Sequence, residues 1–470
     1  MTKSTLFVFM LCMPMLWAQH ELRATFTPAE NFEIAILYKI NPKNLSYTTH
    51  AKFDDDGHLT MALESTISSR MYRLVYAMPQ EVYNFDVMYN AKEDIELKFN
   101  QDTGLEYVSS EENKLLNQYY STMAQIGQNI GELYKKEPLD SLVLVQLFET
   151  QSAKQLEFEM HSKDLMVHEF IKANKRYVPL QIEPLDQYLE HIKKHYFDAV
   201  DFKNPLLMAS IFFSEHVINY VFGMTGTSIS PELLKDNLES LNQILLDAAT
   251  PEIRYEIFKV LRLQMLEANY EPLALELSKE ILRPLAIALN DNVGLQAIQD
   301  FESTAVGSKA PNFKLEEGIK ERPAKTLYDL DDATSYMLIF WSSSCSHCVD
   351  EVPKIHNWIA ENQNHYGSVV AVGLEEEPYK WNTMKYDMPQ FTHVLALGKW
   401  EHPLVQRYNI TATPFYMVLD QEKNHYCKTS KFRRLKTFYS KVIKGIFEML
   451  NFKPPFLFYD ANHIKTHFYV

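Results

Sequence analysis

The feature that most constrains this chain is an unbroken apolar run, Tyr336-Met337-Leu338-Ile339-Phe340-Trp341, that gives way within a few residues to a helical pattern. A half-exposed strand alternates apolar and polar residues, so a continuous run of this length predicts a strand covered on both faces. Three serines follow, and the spacing predicts a helix from Cys345 to about Asn362. A second buried strand is predicted at Val369–Leu374, a hairpin from Phe415–Leu419 and His425–Lys428 across Asp420–Asn424, and a last helix at Lys431–Asn451. Strands alternating with helices in this way predict an α/β layer structure for residues 303–450. The aromatic-rich tail, 451–470, carries no assignable role.

The rest of the chain reads differently. At 470 residues there is room for two to four domains. Residues 19–110 are predicted to form a small β-sandwich-like domain, with strands at Phe32–Lys39, Leu59–Glu64, Met71–Tyr76, Val82–Met88 and Ile95–Phe99. Turn chemistry at Asn41-Pro42, Asp54-Asp55-Asp56-Gly57 and Asn100-Gln101-Asp102 separates them. From 111 to 302 the period becomes helical, with Leu115, Tyr119, Met123, Ile126 and Ile130 along one face. Ser230-Pro231-Glu232 and Thr250-Pro251-Glu252 are helix starts, each with a hydroxyl at the N-cap, Pro at the first helical position and an acid in the first turn. Gly307 and Ser308 interrupt the helical pattern near the 302/303 boundary.

Residues 1–18 fit a signal peptide better than part of a fold. Lys3 precedes the apolar stretch Leu6–Leu16, which is short for a membrane span, and Ala18 offers a cleavage site. Cys12 follows Leu11 where a lipoprotein signal needs a small residue. Export is therefore expected, to a periplasm or cell envelope, with no stable membrane span in the mature chain.

A net charge of −15 argues against a nucleic-acid partner, which needs a basic face. Removing the signal leaves Cys345, Cys348 and Cys427. An exported protein braced by disulfides carries a larger, even set, so this count points to reactive thiols. A helix N-terminus presents unpaired N–H groups and a partial positive charge, which stabilise a thiolate placed there. Cys345 is then the nucleophile, and Cys348, one turn later and deeper, the resolving thiol. Zinc would need two further ligands, for which only His425 and Cys427 stand near, and c-type haem attachment needs His where Val349 stands. No metal or cofactor is expected.

Three segments agree, in order, with one family. Phe340-Trp341-Ser342-Ser343-Ser344-Cys345-Ser346-His347-Cys348-Val349-Asp350-Glu351-Val352-Pro353 resembles the active-site segment of the TlpA/ResA-like branch of the thioredoxin superfamily. Val306-Gly307-Ser308-Lys309-Ala310-Pro311-Asn312-Phe313 resembles the opening of that domain, and Tyr408-Asn409-Ile410-Thr411-Ala412-Thr413-Pro414 its segment ending in a cis-proline. The β-rich stretch is also similar, more distantly, to the small domain preceding thioredoxin modules in many Bacteroidetes proteins. The resemblance implies a C-terminal thioredoxin-like fold exchanging disulfides with protein substrates and with an upstream redox partner. It implies that Pro414 is cis, that Thr413 and Pro414 dock an extended substrate, and that Glu351 moves protons near the thiols. An ordinary first-turn carboxylate is the competing reading of Glu351. Trp341, before the motif, and His347, within it, complete the candidates for substrate contact.

Departures qualify the likeness. Ser344 replaces the Trp that commonly precedes the first Cys, and Ile339 stands where ordinary thioredoxins bury an acid. Ser346-His347 lies between the cysteines, and a His before the second Cys resembles DsbA-type sites, where it favours the thiolate; a solvated His is the plainer reading. The segment between Cys348 and Pro414 is long enough for an inserted strand–helix element around Glu375–Trp400. Two alternatives remain at this level. Peroxide reduction would place Pro seven and Thr or Ser three residues before the reactive Cys; Ser342 fits and Leu338 does not. An envelope binding or assembly protein with an ancillary thiol domain would use the first 300 residues.

Overall fold

A computed structural model describes residues 20–41, 44–224, 230–315, 326–361 and 367–446. The predicted signal segment 1–18 and the tail 451–470 lie outside the described residues. The chain forms two compact units that part between Thr250 and Pro251. That division falls within the stretch read from sequence as one helical region, 111–302. Helical periodicity says that a face is buried but not against which neighbour, so it gives no warning of such a break.

The first unit begins with eight strands: β1 (His20–Thr27), β2 (Ile34–Ile40), β3 (Leu45–Lys52), β4 (His58–Leu63), β5 (Arg70–Val75), β6 (Asn84–Tyr89), β7 (Ile95–Asn100) and β8 (Gly104–Tyr107). They form two four-stranded sheets, ordered β4-β1-β7-β8 and β3-β2-β5-β6. Leu22, Phe26, Leu59 and Leu97 from one sheet share a buried cluster with Leu37, Tyr72, Leu74 and Val87 from the other. Strict alternation, as in β4, turns every second residue inward. The sequence passed over β1, β3 and β8. In β3, Leu45-Ser46-Tyr47-Thr48-Thr49-His50-Ala51-Lys52, no residue is fully buried, so the hydrophobic signal is missing at this sheet edge.

Helices follow. The one at Glu111–Tyr134 buries Leu116, Tyr119, Met123, Ile126, Ile130 and Leu133. The predicted stripe is thus correct except at its start, where Leu116 and not Leu115 turns inward. Asn113 near that start exchanges two 2.7 Å hydrogen bonds with the Met88 backbone of β6, donating to its carbonyl and accepting its N–H. Ser230 caps the helix Pro231–Ala248 by accepting the Leu233 N–H at 3.2 Å. Among the described residues, no helix is long and apolar enough to cross a membrane.

The second unit contains the helices Pro251–Glu267, Glu271–Leu277, Arg283–Ala288 and Asn292–Thr304, then a five-stranded sheet. Its strands are β9 (Ser335–Trp341), β10 (Ser368–Glu375), β11 (Thr392–Leu397), β12 (Phe415–Asp420) and β13 (His425–Thr429), in the order β11-β10-β9-β12-β13. β9, β10 and β11 are parallel, whereas β12 and β13 run antiparallel. The central strand β9 is buried on both faces, which is why its sequence is a continuous apolar run. The helix Ser346–Glu361 connects β9 to β10 and the helix Phe432–Ile446 follows β13. A parallel pair continued on the far side of β9 by an antiparallel hairpin and a last helix is a thioredoxin-like topology. The insertion expected around Glu375–Trp400 supplies the short helix Tyr379–Met384 and the edge strand β11.

The earlier helices of this unit are tied to the sheet by Lys428 of β13, which pairs with Glu271 and donates to the Thr304 carbonyl at 3.3 Å. On β10, Gly373 makes room for the buried Trp381: a Cβ there would lie 2.1 Å from the indole nitrogen. Replacing Gly373 by Ala is expected to cost about 1–3 kcal/mol through overpacking. A thermal melt followed by tryptophan fluorescence should show a lowered midpoint, and an unchanged one would mean that Trp381 is free to move aside.

Candidate active site

β9 ends at Trp341, and the chain needs only Ser342, Ser343 and Ser344 to turn into a helix. Cys345 occupies the N-cap of that helix: its carbonyl accepts the Val349 N–H at 3.0 Å, and its own N–H donates to Ser342 O at 3.1 Å. The first N–H groups of a helix have no partner in the preceding turn and need an acceptor from the cap side chain. Here the acceptor is sulfur. Cys345 Sγ takes the Cys348 N–H at 3.3 Å and lies 3.5 Å from the Thr413 carbonyl oxygen, to which its thiol donates. The Thr413–Pro414 peptide is cis. Cys345, Cys348 and the Thr413–Pro414 segment therefore meet at one point, although 68 residues separate Cys345 from Thr413.

The two thiols differ in environment. Partial burial works against the Cys345 thiolate, but hydrogen bonds from the Cys348 side chain and N–H, the Thr413 side chain and the His347 N–H outweigh it and hold its pKa below the ordinary thiol value. Cys348 has no exposed surface, and burial together with its bond to Cys345 pushes its thiol up to about 12. Both are free thiols. Cys427, on β13, is also free, and burial, with Glu271 adding to it, pushes it up to about 11. Among the described residues, no group of three or more His, Cys, Asp and Glu is placed to hold a metal ion.

Of the other predicted site residues, His347 is exposed, and what it brings to the Cys345 sulfur is its backbone N–H. Glu351 is half-buried and accepts a 2.8 Å hydrogen bond from the hydroxyl of Tyr416, on β12. Trp341 is a correction. It is 0% exposed, within the same apolar cluster as Cys348, Val352 and Tyr416, so no part of its ring can meet a substrate. The alternation of β9 turns it toward the active-site helix, a direction that a run of six apolar residues does not disclose.

Three further residues meet at the site that the sequence does not single out. Tyr416, fully buried, packs among the residues around Cys348; burial and then the Glu351 contact raise its pKa far above the ordinary phenol value, so it stays a donor. Glu375 ends β10 and is 3% exposed; it accepts from the Ser343 N–H at 2.5 Å and the Ser343 hydroxyl at 2.9 Å. Lys399 donates to Ser344 Oγ at 3.3 Å. A carboxylate closing an otherwise apolar run, as in Val369-Val370-Ala371-Val372-Gly373-Leu374-Glu375, is the signal that could have found Glu375, since ligands and functional groups gather at the carboxyl ends of parallel strands.

No family profile matches this chain, and no curated protein does. Solved structures do. A domain of a possible thiol-disulfide isomerase from Cytophaga hutchinsonii is 27% identical, over 31% of this chain and 97% of its own, with a TM-score of 0.26. The thioredoxin domain of a thiol-disulfide oxidoreductase from Bacteroides vulgatus is 22% identical, over 30% and 99%, with a TM-score of 0.26. A thioredoxin-like protein from Bacteroides caccae is 18% identical and reaches 56% of this chain and 96% of its own, with a TM-score of 0.29. The strand order and the geometry around Cys345 define the thioredoxin-like unit here without them.

The asymmetry between the thiols has a direct consequence. Because the Cys345 pKa is lowered, its thiolate persists as pH falls below the ordinary thiol range, while Cys348 stays protonated until pH approaches 12. Iodoacetamide at pH 7 should therefore label Cys345 first, with Cys348 and Cys427 at least about tenfold slower, as read by peptide mass spectrometry. Equal labelling of all three would contradict the site as described.

Proposed function

We propose that this protein is an exported thiol–disulfide oxidoreductase of the TlpA/ResA-like type, acting on protein substrates through Cys345 and Cys348. The observation that carries this reading is the half-exposed Cys345 sulfur, which accepts the Cys348 N–H at 3.3 Å and faces Thr413 O at 3.5 Å above a fully buried second thiol. A thiolate attacks one sulfur of a substrate disulfide, forming a mixed disulfide with Cys345 and releasing the other substrate sulfur as a thiolate. Cys348 then loses its proton and attacks Cys345 Sγ. The second substrate thiolate leaves, the pair closes as a disulfide, and two electrons have passed to the substrate. An upstream dithiol partner returns the pair to its reduced form; run backwards, the same steps oxidise a substrate.

The resolving step is the harder one, because a thiol pushed up to about 12 is protonated at neutral pH. Glu351, held by Tyr416 at 2.8 Å, is the acceptor proposed for that proton. The cis Thr413–Pro414 segment presents backbone beside Cys345 and is the proposed docking edge for an extended substrate. Thiol–disulfide chemistry of this kind fits an oxidising compartment, which the predicted signal segment and envelope location would provide.

An insulin-disulfide reduction assay tests this. Cys345→Ala should abolish turnover, and Cys348→Ala should trap the substrate as a stable mixed disulfide visible on a non-reducing gel. Turnover that survives the loss of Cys345 would overturn the proposal.

A further inference from the structure

Glu375 stands apart from the residues that thiol exchange itself requires. It is a carboxylate with 3% exposure, on the strand next to β9, and every polar contact of its side chain goes to the loop before Cys345. Oε1 accepts the Ser343 N–H at 2.5 Å, and Oε2 accepts the Ser343 hydroxyl at 2.9 Å and the Ser342 hydroxyl at 3.5 Å. Both serines are themselves buried, at 1% for Ser342 and 7% for Ser343. We propose that Glu375 is the positioning residue of the nucleophile: it pins the Ser342–Ser344 turn so that Cys345 arrives at the helix N-cap with its sulfur under the first N–H groups.

The argument runs through the turn. Ser342 O receives the Cys345 N–H at 3.1 Å, which closes a four-residue turn with Ser343 and Ser344 in its middle. A turn of this kind leaves the N–H of its second residue unpaired, and burying such a group without an acceptor is destabilising. Glu375 supplies that missing acceptor with a carboxylate oxygen at 2.5 Å. A Trp before the first Cys would pack this turn from the side; Ser344 has no such bulk. Its hydroxyl is instead held by Ser342 Oγ at 2.9 Å and Lys399 Nζ at 3.3 Å. Lys399 itself follows Gly398, whose N–H donates to the Glu375 carbonyl at 3.0 Å, so the same residue anchors both sides of the turn. Ile339, on β9, is wholly buried and contributes no charge, so β10 supplies the buried acid of this site.

The role rests on the reading of Cys345 as nucleophile, and its test uses a readout that needs no substrate. In the full-length chain, the pH midpoint of iodoacetamide alkylation at Cys345 is measured for wild type, Glu375→Ala and Glu375→Gln, alongside thermal melts. Glu375→Ala should raise the midpoint by about one pH unit, a roughly tenfold slower reaction at pH 7. Glu375→Gln, which keeps an oxygen for the Ser343 N–H, should recover most of that rate. An unchanged midpoint in Glu375→Ala with a lowered melting temperature would overturn the proposal, leaving Glu375 a purely structural residue. Equal losses in the Ala and Gln variants would also overturn it, because an acceptor oxygen for the Ser343 N–H would then not be what places the sulfur. If Glu375→Ala does not fold, Glu375→Asp keeps the charge but draws the oxygens back by one methylene, and its midpoint must rise. A wild-type midpoint at the ordinary thiol value would sink the active-site reading itself, whereas a low wild-type midpoint untouched by these changes sinks only the role of Glu375.

Discussion

A sulfur that caps a helix is the interaction on which the C-terminal unit depends. Helix N-caps are filled by Ser, Thr, Asp or Asn because a short side chain with an acceptor can reach the N–H groups two and three residues on. Cys345 has the same reach, and its sulfur accepts the Cys348 N–H at 3.3 Å. A neutral thiol is a weak acceptor, but a thiolate is a strong one, so the bonds that finish the helix favour ionisation at the same time. Structure and reactivity are thus one set of contacts. The cost falls on Cys348, which the first helical turn carries inward, out of contact with solvent.

That inequality orders the chemistry. One sulfur is half-exposed and biased toward the thiolate; the other is enclosed and its thiol is pushed up to about 12. Around the enclosed sulfur the fold offers an apolar wall of Trp341, Val352, Ile355 and Tyr416. The Tyr416 hydroxyl points its bond toward Glu351, on the helix turn after Cys348. A carboxylate accepting a hydrogen bond from a phenol hydroxyl at 2.8 Å is fixed in direction.

Much of this was legible in the chain. The strand β9 and the helix after it follow from a continuous apolar run next to a helical period, and Cys345 and Cys348 sit where that boundary predicts. The stripe Tyr119, Met123, Ile126 and Ile130 was readable, with Leu116 in place of Leu115 at its start and Leu133 beyond its end, since 3.6-residue periodicity fixes a face but not its limits. Strand β3 was not readable, because a sheet edge with no fully buried residue has no hydrophobic pattern to detect. Trp341 was misread for a related reason. In a strand buried on both sides every residue is apolar, so the sequence cannot say which of them approach the surface.

The sequence alone determined where the two neighbouring thiols fall. The Cys-x-x-Cys spacing at a strand-to-helix junction is local, and one helical turn sets the relation of the two sulfurs whatever surrounds them. What packs over that junction was decided only in three dimensions. Thr413, Tyr416 and Glu375 come from distant parts of the chain, and each reaches the site because β10 and β12 flank β9 in the sheet. Strand order is a property of long-range pairing, with entropy spent on closing long loops and recovered in a shared core. No local pattern records it, so the chain marks Glu375 as a carboxylate closing an apolar run but not as the partner of the distant Ser342–Ser344 turn.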